Sequence, residues 1–178
     1  MVDCAGLYIY FFYIANKQTK EERTVAQLQS GAAAPAFSLL DQDGNTVNLS
    51  EFAGKKLLLY FYPKADTPGC TTQACSIRDA MPDLSGLGIA AVGISPDKPD
   101  KLKKFKEKYG LNFSLLSDPE HETADAYGTW GKKSMYGKEY EGIIRSSFLL
   151  DEKGKVIQAW YKVSPKDTVP FAKEALAG

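Results

Sequence analysis

Lys56 to Cys75 reads KLLLYFYPKADTPGCTTQAC, and this stretch decides the fold. Lys56 to Tyr62 is a nearly continuous apolar run, which marks a strand buried on both faces and therefore central in its sheet. A loop bounded by Pro63 and Pro68 follows. Cys70 to Met81 then carries helix-compatible residues, and Pro82, Gly86 and Gly88 are expected to close that helix.

Outward from this unit the pattern keeps alternating. Upstream, Ala36 to Leu40 and Thr46 to Leu49 flank a turn rich in Asp, Gly and Asn (Asp41 to Asn45), the pattern of an N-terminal β-hairpin. Downstream, Ile89 to Ile94 reads as a second buried strand, and Ser95 and Pro96 lead into a lysine-rich helix ending at Gly110. A short strand at Ser114 to Leu116 and a short helix at Glu120 to Tyr127 come next. Ser147 to Leu150 and Val156 to Tyr161 form a hairpin about the turn Asp151 to Gly154, and a helix from Ser164 or Lys166 to Leu176 ends the chain. The order describes an α/β fold with a central mixed β-sheet flanked by helices.

A length of 178 residues suits one domain, expected at 28–178, preceded by an extension at 1–27. With 22 basic and 22 acidic side chains the net charge is zero, which removes the electrostatic case for binding nucleic acid or an acidic membrane. The cluster Lys101, Lys103, Lys104, Lys106 and Lys108 is broken by Leu102 and Phe105, so it reads as the wet face of an amphipathic helix. Leu7 to Ala15 is an aromatic run of nine residues, well short of the roughly 20 that span a membrane. It has no basic flank of the kind a signal peptide carries, and its exposed aromatics suit packing on the domain or on a partner. One histidine and three cysteines are too few for a self-contained zinc site, and an odd cysteine count does not suit a secreted disulfide scaffold. A cytoplasmic protein with reduced thiols is the expectation, with no metal.

The chemistry should lie where the central strand gives way to the helix. The carboxyl end of such a strand is where α/β sheets build their sites. Cys70 falls in the first turn of the helix, where unpaired N–H groups favour a thiolate. Thr67 can bring a hydroxyl to the same spot, Pro63 and Pro68 stiffen the loop, and Gly69 permits close approach. The competing reading of Cys70 is a small buried hydrophobe. Cys75 follows five residues later, either as a partner of Cys70 or as a core-facing helix residue. On a regular helix that spacing means a rise of about 7.5 Å and a turn of about 140°. The two thiols could then pair only if the helix start unwinds. Arg145, in GIIRSSFLL (Gly142 to Leu150), is either an ordinary edge arginine or a guanidinium placed to favour a thiolate and orient an oxygen substrate. His121, set among acidic residues, and Cys4 are weak candidates, and Trp130, Tyr136 and Tyr140 are aromatics that could wall the site or merely pack.

At these residues the chain resembles the peroxiredoxins, and among them the bacterioferritin comigratory protein (peroxiredoxin Q) subfamily. Pro63-x-x-x-Thr67-x-x-Cys70 matches the family's active-site loop, Cys75 the subfamily's resolving cysteine, and Arg145-Ser146-Ser147-Phe148 its catalytic arginine segment. The likeness runs from about Gly31 to the C-terminus and takes in Trp130 to Lys133 and Met135 to Gly137. The resemblance implies a thioredoxin-like fold and reduction of hydrogen peroxide and organic hydroperoxides with no metal or organic cofactor. It assigns Cys70 as peroxidatic and Cys75 as resolving, with Thr67 and Arg145 holding the peroxide in a pocket that includes Pro63 and Gly69. An intramolecular disulfide recycled by a thioredoxin-like reductant is implied, in a protein that is usually a monomer; zero net charge leaves room for a weak dimer.

Three rivals differ in class. A dithiol–disulfide oxidoreductase would share the fold but usually carries C-x-x-C. A redox-sensing or holdase module would use the aromatic extension to bind partners. A two-cysteine metal site would need ligands from a second chain.

Overall fold

The apolar run at Lys56 forms the strand Lys56–Phe61, whose side chains alternate between two separate cores. Leu58 and Tyr60, with Tyr62 just beyond the strand, enter one; Leu57, Leu59 and Phe61 enter the other. All six are essentially inaccessible, as a strand covered on both faces requires.

A computed structural model describes residues 27–135 and 137–177 of the chain. Its strands are β1 (Ser38–Asp41), β2 (Thr46–Asn48), β3 (Lys56–Phe61), β4 (Ile89–Ser95), β5 (Ser114–Ser117), β6 (Trp130–Met135), β7 (Lys138–Ile143), β8 (Ser146–Leu150) and β9 (Val156–Tyr161). The helices are α1 (Pro68–Gly86), α2 (Pro99–Tyr109), α3 (Glu122–Ala126) and α4 (Thr168–Ala177), with a 3-10 turn at Leu49–Phe52. Seven strands form one sheet in the order β2-β1-β5-β4-β3-β8-β9. β4 runs parallel to both β3 and β5, whereas β8, β9, β1 and β2 each run antiparallel to their neighbours. This is the mixed sheet expected, in a thioredoxin-like arrangement. Helices α1, α2 and α4 share the core that holds Tyr60, while α3 and Trp130 cover the opposite face.

Two elements depart from the expectation. Pro82 does not end α1, which continues to Gly86. A proline there leaves the carbonyl of Arg78 without its helical donor. The side-chain amide of Asn112 donates to that carbonyl instead (3.3 Å), so a residue outside the helix makes good the missing bond. The second departure is the hairpin β6–β7, paired from Trp130↔Ile143 to Met135↔Lys138. Its sequence (WGKKSM) lacks the alternation of apolar and polar residues by which a strand is read. The lysine-rich helix does present a wet face: only Leu102 and Phe105 of α2 are buried. The expected extension at 1–27, with Cys4 and the aromatic run, lies outside the described residues except for Gln27. Among the described residues no helix is long and apolar enough to cross a membrane.

Candidate active site

The loop from β3 to α1 is fastened from two sides. The Ala65 N–H donates to Asp97 Oδ2 (2.6 Å), and the same carboxylate takes Lys101 Nζ (2.6 Å). Asp66 adopts a left-handed backbone (φ 61°) and its carboxylate accepts from Lys108 Nζ (2.9 Å) and the Tyr109 hydroxyl (2.6 Å) at the end of α2. Those two donors, the Tyr109 hydroxyl first, hold the Asp66 carboxyl below the ordinary range.

Thr67 is the residue before α1, with extended backbone (φ −104°, ψ 153°), and its carbonyl accepts the first helical bond from Thr71 N–H (2.8 Å). Its hydroxyl donates back to Lys64 O (2.9 Å), which leaves the oxygen lone pairs to accept from a substrate. Pro68 takes the first helical position, where its missing N–H costs nothing. Cys70 is the third helical residue, so its N–H precedes the helical ladder and is open to an anionic group.

Arg145 bridges β7 and β8. The segment is pinned on both sides, by Ile144 N–H on Thr129 O (2.6 Å) and by Val163 N–H on Arg145 O (2.9 Å). The guanidinium reaches Cys70 Sγ through Nη2 (3.3 Å), and Nη1 donates to Gln73 Oε1. Gly69 makes room for this: a Cβ there would stand 3.3 Å from Arg145 Nη2 and 3.3 Å from Pro165 Cγ. The guanidinium is thus turned toward Cys70 and Gln73. Cys70 is only 2% exposed, while Pro63 and Thr67 of the loop are half-buried.

Cys75 stands one and a half turns further along α1, half-buried, and both thiols are free. His121 lies away from this constellation, stacked on the Trp130 indole (centroids 4.1 Å apart) and bonded to Asp125 (2.8 Å). Trp130 thus packs against the histidine, Tyr140 is exposed on β7, and Tyr136 is outside the described residues.

Three residues near the cysteines were not singled out from the sequence. Gln73 is fully buried, and its signal was present: it falls three residues after Cys70 on the stripe Cys70, Gln73, Ala74, Ile77, where every other member is apolar. Lys133, on β6, donates to Ile143 O (2.6 Å); burial, with the positive field of Arg145 second, pushes its ammonium below the ordinary lysine range. Tyr60 lies beneath α1 with its hydroxyl buried and without a hydrogen-bond partner among the described residues. Its ring takes the space a side chain at Gly93 would fill, since a Cβ there would come within 2.6 Å.

A cysteine sulfur at a helix N-terminus, held by a guanidinium beside a stiff polar loop, is an arrangement suited to thiolate chemistry. Residues 30–159 match the model of the AhpC/TSA family, and the chain belongs to that family. It is 56% identical over 129 residues to peroxiredoxin Bcp of Escherichia coli K12, covering 72% of this chain and 83% of that one. With peroxiredoxin Bcp of Bacillus subtilis it shares 47% over 149 residues, 84% of this chain and 95% of the other. Among solved structures, peroxiredoxin Q of Xanthomonas campestris superposes with a TM-score of 0.76 at 35% identity, over 84% of this chain and 96% of that one. A study of alkyl peroxide reduction by the bacterioferritin comigratory protein of that organism gives another neighbour, with a TM-score of 0.76 at 34% identity and the same coverage. The chain is therefore a thiol peroxidase of the Bcp and peroxiredoxin Q group.

Proposed function

We propose that Cys70 is the peroxidatic residue, and that the Arg145–Cys70 contact (3.3 Å) is the observation that carries the reading. The Cys70 thiolate attacks one peroxide oxygen; the S–O bond forms as the O–O bond breaks, and the departing alkoxide or hydroxide takes up a proton. Arg145 and the Cys70 N–H stabilise the charge that builds on the oxygens, and the Thr67 oxygen accepts from the peroxide O–H. Pro63 and Gly69 shape the pocket. Both hydrogen peroxide and organic hydroperoxides are substrates in this reading; the alkyl peroxide reduction named for the Xanthomonas campestris neighbour supports the second.

Cys75 is the resolving residue. Its sulfur attacks the Cys70 sulfenic acid, a Cys70–Cys75 disulfide forms and water leaves. A dithiol protein of thioredoxin type then restores both thiols by exchange and is itself oxidised to the disulfide. Because α1 holds the cysteines about 7.5 Å apart along its axis, its first turns must open once per cycle. The protein acts as a monomer without metal or organic cofactor, in a reducing compartment such as the cytoplasm.

The test is to add one equivalent of hydrogen peroxide to fully reduced protein and map the thiols by mass spectrometry within seconds. A Cys70–Cys75 disulfide that disappears in Cys70→Ser is the expected result. A Cys70 sulfenic acid beside a free Cys75 would remove Cys75 from its role, and two untouched thiols would overturn the assignment of Cys70.

A further inference from the structure

Behind the site runs a chain of buried polar side chains for which the reaction above has no use. Gln73 Oε1 accepts from Arg145, and Gln73 Nε2 donates to Thr168 Oγ1 (2.8 Å). Thr168 Oγ1 lies 3.1 Å from Ser147 Oγ, and since it already accepts from Gln73 its own proton is free for Ser147. Gln73, Thr168 and Ser147 are 0%, 1% and 0% exposed. Each belongs to a different element: α1, the first residue of α4, and β8. Ser147 sits inside the sheet, paired with Tyr60 on one side and Trp160 on the other.

We propose that Gln73, Thr168 and Ser147 form a latch of positioning residues, which holds Arg145 on Cys70 and the first turns of α1 on the sheet at the same time. Gln73 lies between the two cysteines in sequence and in the helix. Any unwinding that brings Cys70 to Cys75 must therefore draw Gln73 away from both Arg145 and Thr168. Apolar side chains in that place would let the turn slide, because dispersion contacts have no direction, whereas a buried amide has few places to find new partners. The latch thus acts on the two chemical steps in opposite senses. It speeds peroxide attack by fixing the guanidinium, and it restrains disulfide formation by keeping α1 closed. The second half rests on the resolving role proposed for Cys75.

Thr168→Val removes the central hydroxyl and keeps the shape, and Ser147→Ala is the milder variant should the first fold poorly. Two quantities are read by rapid mixing with hydrogen peroxide, the rate of sulfenic acid formation and the rate of disulfide closure. A third is amide hydrogen exchange at Thr71 to Cys75 in the reduced protein. Loss of the latch should slow attack about three- to tenfold and speed closure by a similar factor, which is the scale of one buried hydrogen bond. Exchange at Thr71 to Cys75 should quicken by the same factor while β3 amides are unaffected. A variant in which both steps slow together, or in which exchange along α1 does not change, would overturn the proposal, and so would exchange that quickens equally in β3, which marks general loosening. Should the wild-type protein form no Cys70–Cys75 disulfide, the role of Cys75 falls alone; the attack rate and the exchange then decide the latch by themselves.

Discussion

Gly69 lies directly under the Arg145 guanidinium, so that even a methyl group at residue 69 would stand 3.3 Å from Nη2. The contact is tighter than a side chain normally accepts, and on the other flank Pro165 Cγ is equally close, so the strain falls on the arginine. Gly69→Ala should improve the helix by up to about 1 kcal/mol, since alanine outranks glycine in a helix. It should nonetheless slow sulfenic acid formation about tenfold through a displaced Arg145. Stopped-flow attack rates beside a thermal melt check this. An attack rate that is unchanged or higher beside a raised Tm would show that the space at Gly69 is not needed by the guanidinium.

Thr72 is exposed, and its hydroxyl bonds the carbonyl of Pro68 one turn back (2.9 Å). Such a back-bond slightly weakens a helix, and threonine is a poor helix former. Thr72→Ala should therefore hold α1 closed by about 0.5 kcal/mol and slow disulfide closure roughly twofold without touching attack. Equal slowing of the two steps in rapid-mixing kinetics would argue against helix opening as the gate.

The Tyr60 hydroxyl, without a partner among the described residues, is a desolvated donor, and burial raises its pKa well above the tyrosine range. Tyr60→Phe removes that cost and keeps the ring contacts with Tyr62 (5.4 Å) and Phe113 (6.1 Å). Stability should rise by about 1 kcal/mol, seen as an increase in Tm of about 2–4 °C. A lower Tm would mean the hydroxyl is bonded to a water sealed under α1.

Asp66 gives the pH dependence its sign. Its carboxyl titrates below the ordinary value because the Tyr109 hydroxyl and Lys108 favour the anion. A depressed folded pKa contributes stability that is present above the unfolded value, about pH 4, and is lost as the pH falls through the folded one. Asp66→Asn keeps a residue that tolerates the left-handed backbone and removes the charge. Melts of both proteins should differ at pH 6 and converge in acid below about pH 4. A gap that persists unchanged down to about pH 2 would mean that hydrogen-bond shape, and not charge, fastens the loop.

The central strand, the loop and the helix after it were legible because each rests on local chemistry: an apolar run, two prolines, a cysteine at a helix start. Arg145 was visible as a charge among apolar neighbours, yet its direction was not, since that depends on Gly69 and Gln73 being across the chain from it. The stop at Pro82 was misread because the donor that rescues Arg78 O comes from Asn112, 34 residues away. The β6–β7 hairpin was invisible for a different reason. Its stability comes from a ladder of main-chain pairs and from Trp130 packing, and the polar side chains along it carry no period. Thr168 and Ser147, 21 residues apart, could be joined only by folding the chain.

The fastening of Ala65 to Asp97 has a consequence for how the enzyme resets. Asp97 belongs to the stretch between β4 and α2, and Ser117 Oγ bonds its carbonyl (2.8 Å), so the loop bearing Thr67 is moored to the sheet independently of α1. The helix opening proposed above would therefore dismantle only one wall of the pocket. If the proposed Cys70–Cys75 disulfide forms, the other wall would keep its moorings and serve as a template on which the helical wall is rebuilt after reduction. A single helical turn re-forms in well under a microsecond when its anchor is already in place. In the proposed cycle, recovery of the site after reduction would then add almost no waiting time.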